Sequence, residues 1–147
     1  MSLKEQLMND LNVAMKEKDT IRKNTVQMAR ASVLQYEKDN RCELDEQGVV
    51  DIIAKEVKKR RDVLPDYEKS GRQDLIDGIN REIEVLMAYL PAQLTLEEIE
   101  AIVVEAVSST GASSMKDIGK VMAAIMPKTK GKADGKIVNE LVKKHLA

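Results

Sequence analysis

Few side chains in this sequence are of the types that carry out chemistry, and each can be weighed separately. His145 is the single histidine and the third residue from the end. A general base must be held in place, and chain ends fray. His145 therefore reads as a cation at the carboxyl end of a helix, where positive charge is favoured. Cys42 lies in a polar stretch, and as a nucleophile it would need a base, for which His145 would have to fold back onto it. One cysteine excludes an internal disulfide framework and a multi-cysteine metal site. Ser113, Ser114 and Lys116 superficially resemble serine–lysine amidase chemistry, in which serines relay a proton to a lysine. The chain is too short for an amidase fold and has no second glycine- and serine-rich stretch, so the pair reads as a helix N-cap. Gly119-Lys120 and Gly131-Lys132 lack the preceding glycine of a phosphate loop and the strand that leads into one. The acidic residues form neither an EF-hand loop nor a His-Glu-x-x-His set. No catalytic residue, metal ligand or cofactor site is expected.

The remaining candidates are basic. Lys55, Lys58, Lys59, Arg60 and Arg61 are mixed with Glu56 and Asp62, and read as a solvated helix face with salt-bridge partners. The second set is Lys116, Lys120, Lys128, Lys130, Lys132, Lys136, Lys143 and Lys144. Residues 115–147 hold these eight lysines against Asp117, Asp134 and Glu140, a net of +5, whereas residues 93–114 carry four acids and no base. Residues 1–92 hold 16 Lys/Arg against 18 Asp/Glu, so the total of −1 hides a basic tail beside an acidic segment. Lysines in the glycine-containing loop from Lys128 to Asp134 can reach phosphates as point charges. The helix start near Asp134–Ile137 is expected to offer free amides to the same anions. An ordinary lysine-rich surface is the competing reading, and the sequence alone does not separate the two.

The elements that position these residues are helical. Apolar residues make up 43% of the 147, with no Trp or Phe and three Tyr, so the core is built from Leu, Ile, Val, Ala and Met. Few aromatics also argue against base stacking as the main mode of nucleic-acid binding. Ser2 with Glu5 forms a capping box ahead of Leu3, Leu7, Leu11 and Ala14/Met15. Asp19 or Thr20 caps a second helix with Ile21, Thr25, Met28, Ser32/Val33 and Tyr36 along its face. Asp45 caps a third with Val49/Val50, Ile53, Val57 and Leu64, which Pro65 should end or kink, and Gly71 is a stop in the left-handed conformation. A fourth, from about Gln73, carries the strongest apolar stripe: Leu75/Ile76, Ile79, Ile83, Leu86/Met87 and Leu90. Pro91 stops the pattern, and Thr95 with Glu98 opens a second capping box. Three short helices follow. The first ends by Gly111, the second runs from Ser113 or Ser114 to Pro127, and the last begins at Asp134. These patterns imply an all-α fold, with an N-terminal helical bundle over residues 1–92 and a small three-helix domain over 93–147. The longest apolar run, Val121 to Met126, is far short of a membrane span. The N-terminus lacks a secretory leader layout, so a cytoplasmic location is expected.

The run from Tyr89 through Leu90, Pro91, Ala92, Gln93, Leu94 and Thr95 to Ile99 resembles the interdomain signature of the GatB/YqeY family. So do Met115 to Met122, Lys130 to Gly135, and Leu141 to Leu146. Lys58 to Arg61, with Gly71-Arg72, resembles the stand-alone YqeY type. The resemblance covers essentially the whole chain. It implies kinship with the tail domain of the tRNA-dependent amidotransferase B subunit, a carbon–nitrogen ligase with glutamine as amido-N-donor. In that subunit the tail is understood to contact tRNA, while a separate, larger domain that is absent here activates the aminoacyl group. Lys120, Lys130 and Lys132 are the best-matched basic positions.

Three functions follow as expectations. The first is a non-catalytic module that binds tRNA or other structured RNA through the basic tail by shape and backbone contacts. The second is a protein–protein adaptor whose eight methionines supply an adaptable apolar surface. The third is an amidotransferase-type enzyme. No membrane partner is expected.

Overall fold

A computed structural model describes residues 1–147. All regular structure is helical: α1 Leu3–Glu17, α2 Thr20–Asn40, α3 Glu46–Ser70, α4 Gln73–Met87, α5 Leu96–Thr110, a 3₁₀ turn Met115–Asp117, α6 Ile118–Thr129 and α7 Gly135–Leu146. No strand is present, and no helix is long and apolar enough to cross a membrane. The chain divides into two compact units, Met1–Leu90 and Pro91–Ala147.

The local signals act as their chemistry requires. Ser2 Oγ accepts from the Glu5 amide at 3.2 Å while the Glu5 carboxylate accepts from the Ser2 amide at 3.2 Å. Thr95 and Glu98 repeat the arrangement. Asp19 and Asp45 accept from the Arg22 and Gly48 amides. Gly71 and Gly111 stop their helices at φ +70° and +68°, where a side chain would be strained.

In the first unit, Leu7 of α1, Val26, Ala29 and Val33 of α2, Val49, Ile52, Ile53 and Val57 of α3, and Val85 and Leu86 of α4 pack with Tyr89 into one core. In the second, Ile99, Val103 and Ala106 of α5 pack on Val121 and Ile125 of α6 and Val138, Val142 and Leu146 of α7. Full burial of a Leu, Ile or Val contributes roughly 1.5–3 kcal/mol, so each unit has its own apolar reason to fold.

Several expectations need correction. α3 runs through Pro65 to Ser70. Pro65 is exposed, so water can satisfy the carbonyl one turn back that loses its donor. α6 likewise runs through Pro127 to Thr129, which moves Lys128 from the loop onto the helix. On α2 the buried line is Thr25, Val26, Ala29 and Val33, while Ile21, Met28 and Tyr36 are exposed. The expected face was rotated because it followed the large apolar side chains, whereas small Ala29 is buried. On α4 the expected stripe holds in its second half, where Leu86 is buried and Ile83, Met87 and Leu90 pack against the core, while Leu75 at its start is exposed. The basic run on α3 is also not wholly solvated, since Arg60 and Glu56 are buried side chains.

Candidate nucleic-acid interface

The tail lysines are placed by the helix pair α6–α7 and the turn between them. All eight are exposed. Lys116 lies on the 3₁₀ turn and Lys120 one turn on, in α6. Val121 and Ile125 mark the buried line of α6, so Lys120 points nearly opposite it. Lys128 is in the last turn of α6, Lys130 is its C-cap, Lys132 follows Gly131, and Lys136 is in the first turn of α7. These four fall within nine residues around one turn. Lys143 follows Lys136 by seven residues, on the same side of α7, with Glu140 between them. Lys144 projects from another side. The structure therefore brings together the loop group and extends it along α7, but does not gather all eight on one face.

The loop is braced. The Lys132 and Ala133 amides donate to Thr129 O at 2.8 and 3.0 Å, and the Leu94 amide donates to Lys132 O at 2.8 Å. Gln93 Nε2 donates to Gly131 O at 2.9 Å. Gly131 has φ +75°, a left-handed turn within the loop. Buried Thr129 sits beneath, its hydroxyl donating to Ile125 O at 3.3 Å. The Gln93-Leu94 segment thus holds the lysine loop as well as leading into α5. Sequence reasoning missed this bracing, because pairings across 38 residues leave no local pattern. Thr129 was placed in the loop by the stop expected at Pro127, and its spacing of one turn beyond Ile125 was the signal that could have found it.

Charge in this unit is sorted by helix. Eight lysines face seven acids over residues 91–147. Of the four acids on α5, Glu98 belongs to the capping box, Glu105 lies 3.8 Å from Lys128 of α6, and Glu100 lies 3.2 Å from His145 Nε2 of α7. Lys116, Lys120, Lys132, Lys136, Lys143 and Lys144 make no ion pair within the chain, whereas Lys130 does have a partner. The start of α7 is not the open anion site expected from sequence: the Asp134 carboxylate accepts from the Lys136 amide at 3.0 Å and supplies its own negative charge there. Ser114 occupies the N-cap position before the 3₁₀ turn without a side-chain bond, while the Asp117 carboxylate accepts from the Ser113 amide at 3.1 Å. Cys42 is exposed in the turn after α2, and no group of three or more His, Cys, Asp or Glu side chains converges as a metal site.

A family model described as Yqey-like protein matches residues 4–146. Among curated proteins, altered inheritance of mitochondria protein 41 of Kluyveromyces lactis is 33% identical over 102 residues, covering 67% of this chain and 55% of that protein. The protein of the same name from Eremothecium gossypii is 34% identical over 87 residues, covering 58% and 48%. That from Pyrenophora tritici-repentis is 24% identical over 130 residues, covering 87% and 71%. The chain spans about half the length of the first two relatives. These relatives carry mitochondrial names, which overturns the expected cytoplasmic location. That expectation rested on a missing secretory leader and a missing apolar span, and neither feature distinguishes one aqueous compartment from another.

Proposed function

The chain belongs to the YqeY-like family, and from that premise we propose that it is a binding module whose tail unit grips structured RNA, tRNA foremost, through the phosphate backbone. The observation that carries this reading is the set of six exposed lysines on the 3₁₀ turn, α6, the loop and α7 that have no carboxylate partner. One carboxylate of the acidic helix α5 lies 3.8 Å from Lys128 and another 3.2 Å from the His145 ring, and the six lysines are left to solvent. The braced loop supports the reading too, because a loop already ordered loses less entropy when it meets a ligand. Three tyrosines and no Trp or Phe favour backbone contacts over stacking. No chemical step is assigned to the chain.

Titration of the full chain with tRNA at low and moderate salt tests this. Each lysine that neutralises a phosphate contributes roughly 0.7–0.9 to the slope of log affinity against log salt. The triple change Lys120→Glu, Lys132→Glu and Lys136→Glu should flatten the slope by about two to three. Affinity that does not respond to salt, or a triple variant that binds like the parent, refutes the reading.

A further inference from the structure

The first unit carries a surface that the proposed function does not invoke. α1 and α2 pack antiparallel, and one side of their seam holds two depressions. One, of about 240 Å³, is lined by Lys4, Glu5, Leu7, Met8, Arg30, Val33 and Leu34. The other, of about 280 Å³, is lined by Ala14, Met15, Lys18, Thr20 and Lys23. Met8 and Met15 are seven residues apart on α1, and Lys23 and Arg30 seven apart on α2. That spacing returns a helix to nearly the same side after two turns, so both depressions open along one line.

The floor is apolar and the flanks are basic. Leu7 and Val33 are buried beneath, while Met8, Met15 and Leu34 stand 41%, 56% and 48% exposed. Lys18, Lys23 and Arg30 make no ion pair, Lys4 is held by Glu37 at 2.5 Å, and Glu5 is the one acid in the linings. Each depression falls below the ~300–1,000 Å³ of a small-molecule site. Together they suit two side chains of one larger ligand. Met8 and Met15 are separated by about 10.5 Å along the helix axis, which is also the separation of positions i and i+7 on a docking helix. Methionine adapts its shape to what it meets.

We propose that the α1–α2 seam is a docking groove for an acidic amphipathic helix of a protein partner, with apolar anchors at i and i+7 seated beside Met8 and Met15 and flanking carboxylates facing Lys18, Lys23 and Arg30. The apolar walls form a concave seam between two helices, which receives protruding side chains where a bilayer surface would meet only the rims. The groove is independent of the tail lysines.

The test is selection of a display library of amphipathic helical peptides against the immobilised full chain. Selected peptides should be enriched in Asp and Glu around apolar residues seven apart. Their affinity should fall about tenfold in the double variant Lys23→Glu/Arg30→Glu and also in Met8→Asp, and stay unchanged in Lys143→Glu/Lys144→Glu. The side chains altered are exposed or only half-buried and lack internal ion partners, so folding is retained. Absence of enrichment, enrichment without acidic bias, or equal binding to the groove variants overturns the inference. So does a chain that ignores every peptide but is retained on phosphatidylcholine–phosphatidylserine vesicles through Lys23 and Arg30. Loss of peptide binding in the tail variant instead would place the contact on the other unit and also overturn it.

Discussion

Glu56 and Arg60 are the charged side chains withdrawn from water in the first unit, 5% and 8% exposed. They form a chain of contacts across three helices. Ser32 Oγ of α2 donates to Glu56 Oε1 at 2.9 Å, Arg60 Nη1 donates to Glu56 Oε2 at 3.0 Å, and Arg60 Nε lies 3.5 Å from Glu82 of α4. Burial pushes the Glu56 carboxyl up, but hydrogen bonds from Arg60, Ser32 and Lys59 outweigh it, so its pKa lies below the ordinary 4.5. A carboxyl whose folded pKa is depressed stabilises the fold above its unfolded pKa and stops doing so as pH falls through the folded value. Urea midpoints should therefore drop as pH is lowered beneath about 4.5, and part of that drop should vanish in Glu56→Gln. Removing Arg60 alone, as in Arg60→Met, strands a buried carboxylate and should cost about 3–5 kcal/mol at neutral pH. A loss under about 1 kcal/mol would show the pair to be solvated. Thr25 predicts the opposite sign. It is fully buried and its hydroxyl has no partner, so Thr25→Val should raise stability by about 1 kcal/mol in the same urea assay. A decrease would mean the hydroxyl is bonded in solution. Tyr89 completes the residue scale: burial and the hydrogen bond it donates to Asp10 push its pKa well up. A phenol raised above its unfolded pKa of 10.0 stabilises below that pH, and its contribution is lost as pH rises further.

At the scale of elements, the prolines show where local rules yield to packing. Pro65 sits inside α3, five residues before its end, and Pro127 inside α6, two before its end. A proline in a helix interior is about 3 kcal/mol worse than alanine, although it also restricts the unfolded chain. Pro65→Ala should therefore stabilise the first unit by roughly 1–2 kcal/mol, read as a higher urea midpoint with unchanged helical circular dichroism. A lower midpoint would mean that Pro65 sets a bend the α3–α4 pairing needs. α3 continues past Pro65 because α4 packing beside α3 is a long-range gain that local patterning does not display, whereas the stop expected at Pro127 falls only two residues before the observed end of α6. Caps were legible for the converse reason. Ser2, Asp19, Asp45, Thr95 and Asp134 each satisfy an amide two or three residues away, and the whole interaction lies within the pattern being read. The lysine positions of the candidate interface were equally readable as residue types. Their bracing by Gln93 and Leu94 depends on how backbone groups are spent in three dimensions.

At the scale of the molecule, two cores are built from disjoint sets of side chains, one over Met1–Leu90 and one over Pro91–Ala147. Their charges differ as well: residues 1–92 sum to −2, while the tail unit has one more lysine than acid. Core residues that share no partners are energetically additive, so damage to one core should leave the other protected. Leu86 and Ile125 are each fully buried, in the first and second core respectively. Truncation to alanine should cost about 2–5 kcal/mol at either site. Native-state hydrogen exchange read by mass spectrometry can follow both units in one sample, because the slowest amides report the global opening of the core that holds them. In Leu86→Ala the slow amides of α2 and α3 should exchange faster while those of α5 to α7 keep the parent rates, and Ile125→Ala should do the reverse. If either substitution accelerated all helices equally, the cores would be a single cooperative unit. Damage to the second core would then also open the α1–α2 seam, and the proposed RNA surface and the proposed groove could not be dissected by mutation. Separate openings would instead let each surface be altered with the other intact, as the paired controls on Lys143, Lys144, Lys23 and Arg30 require.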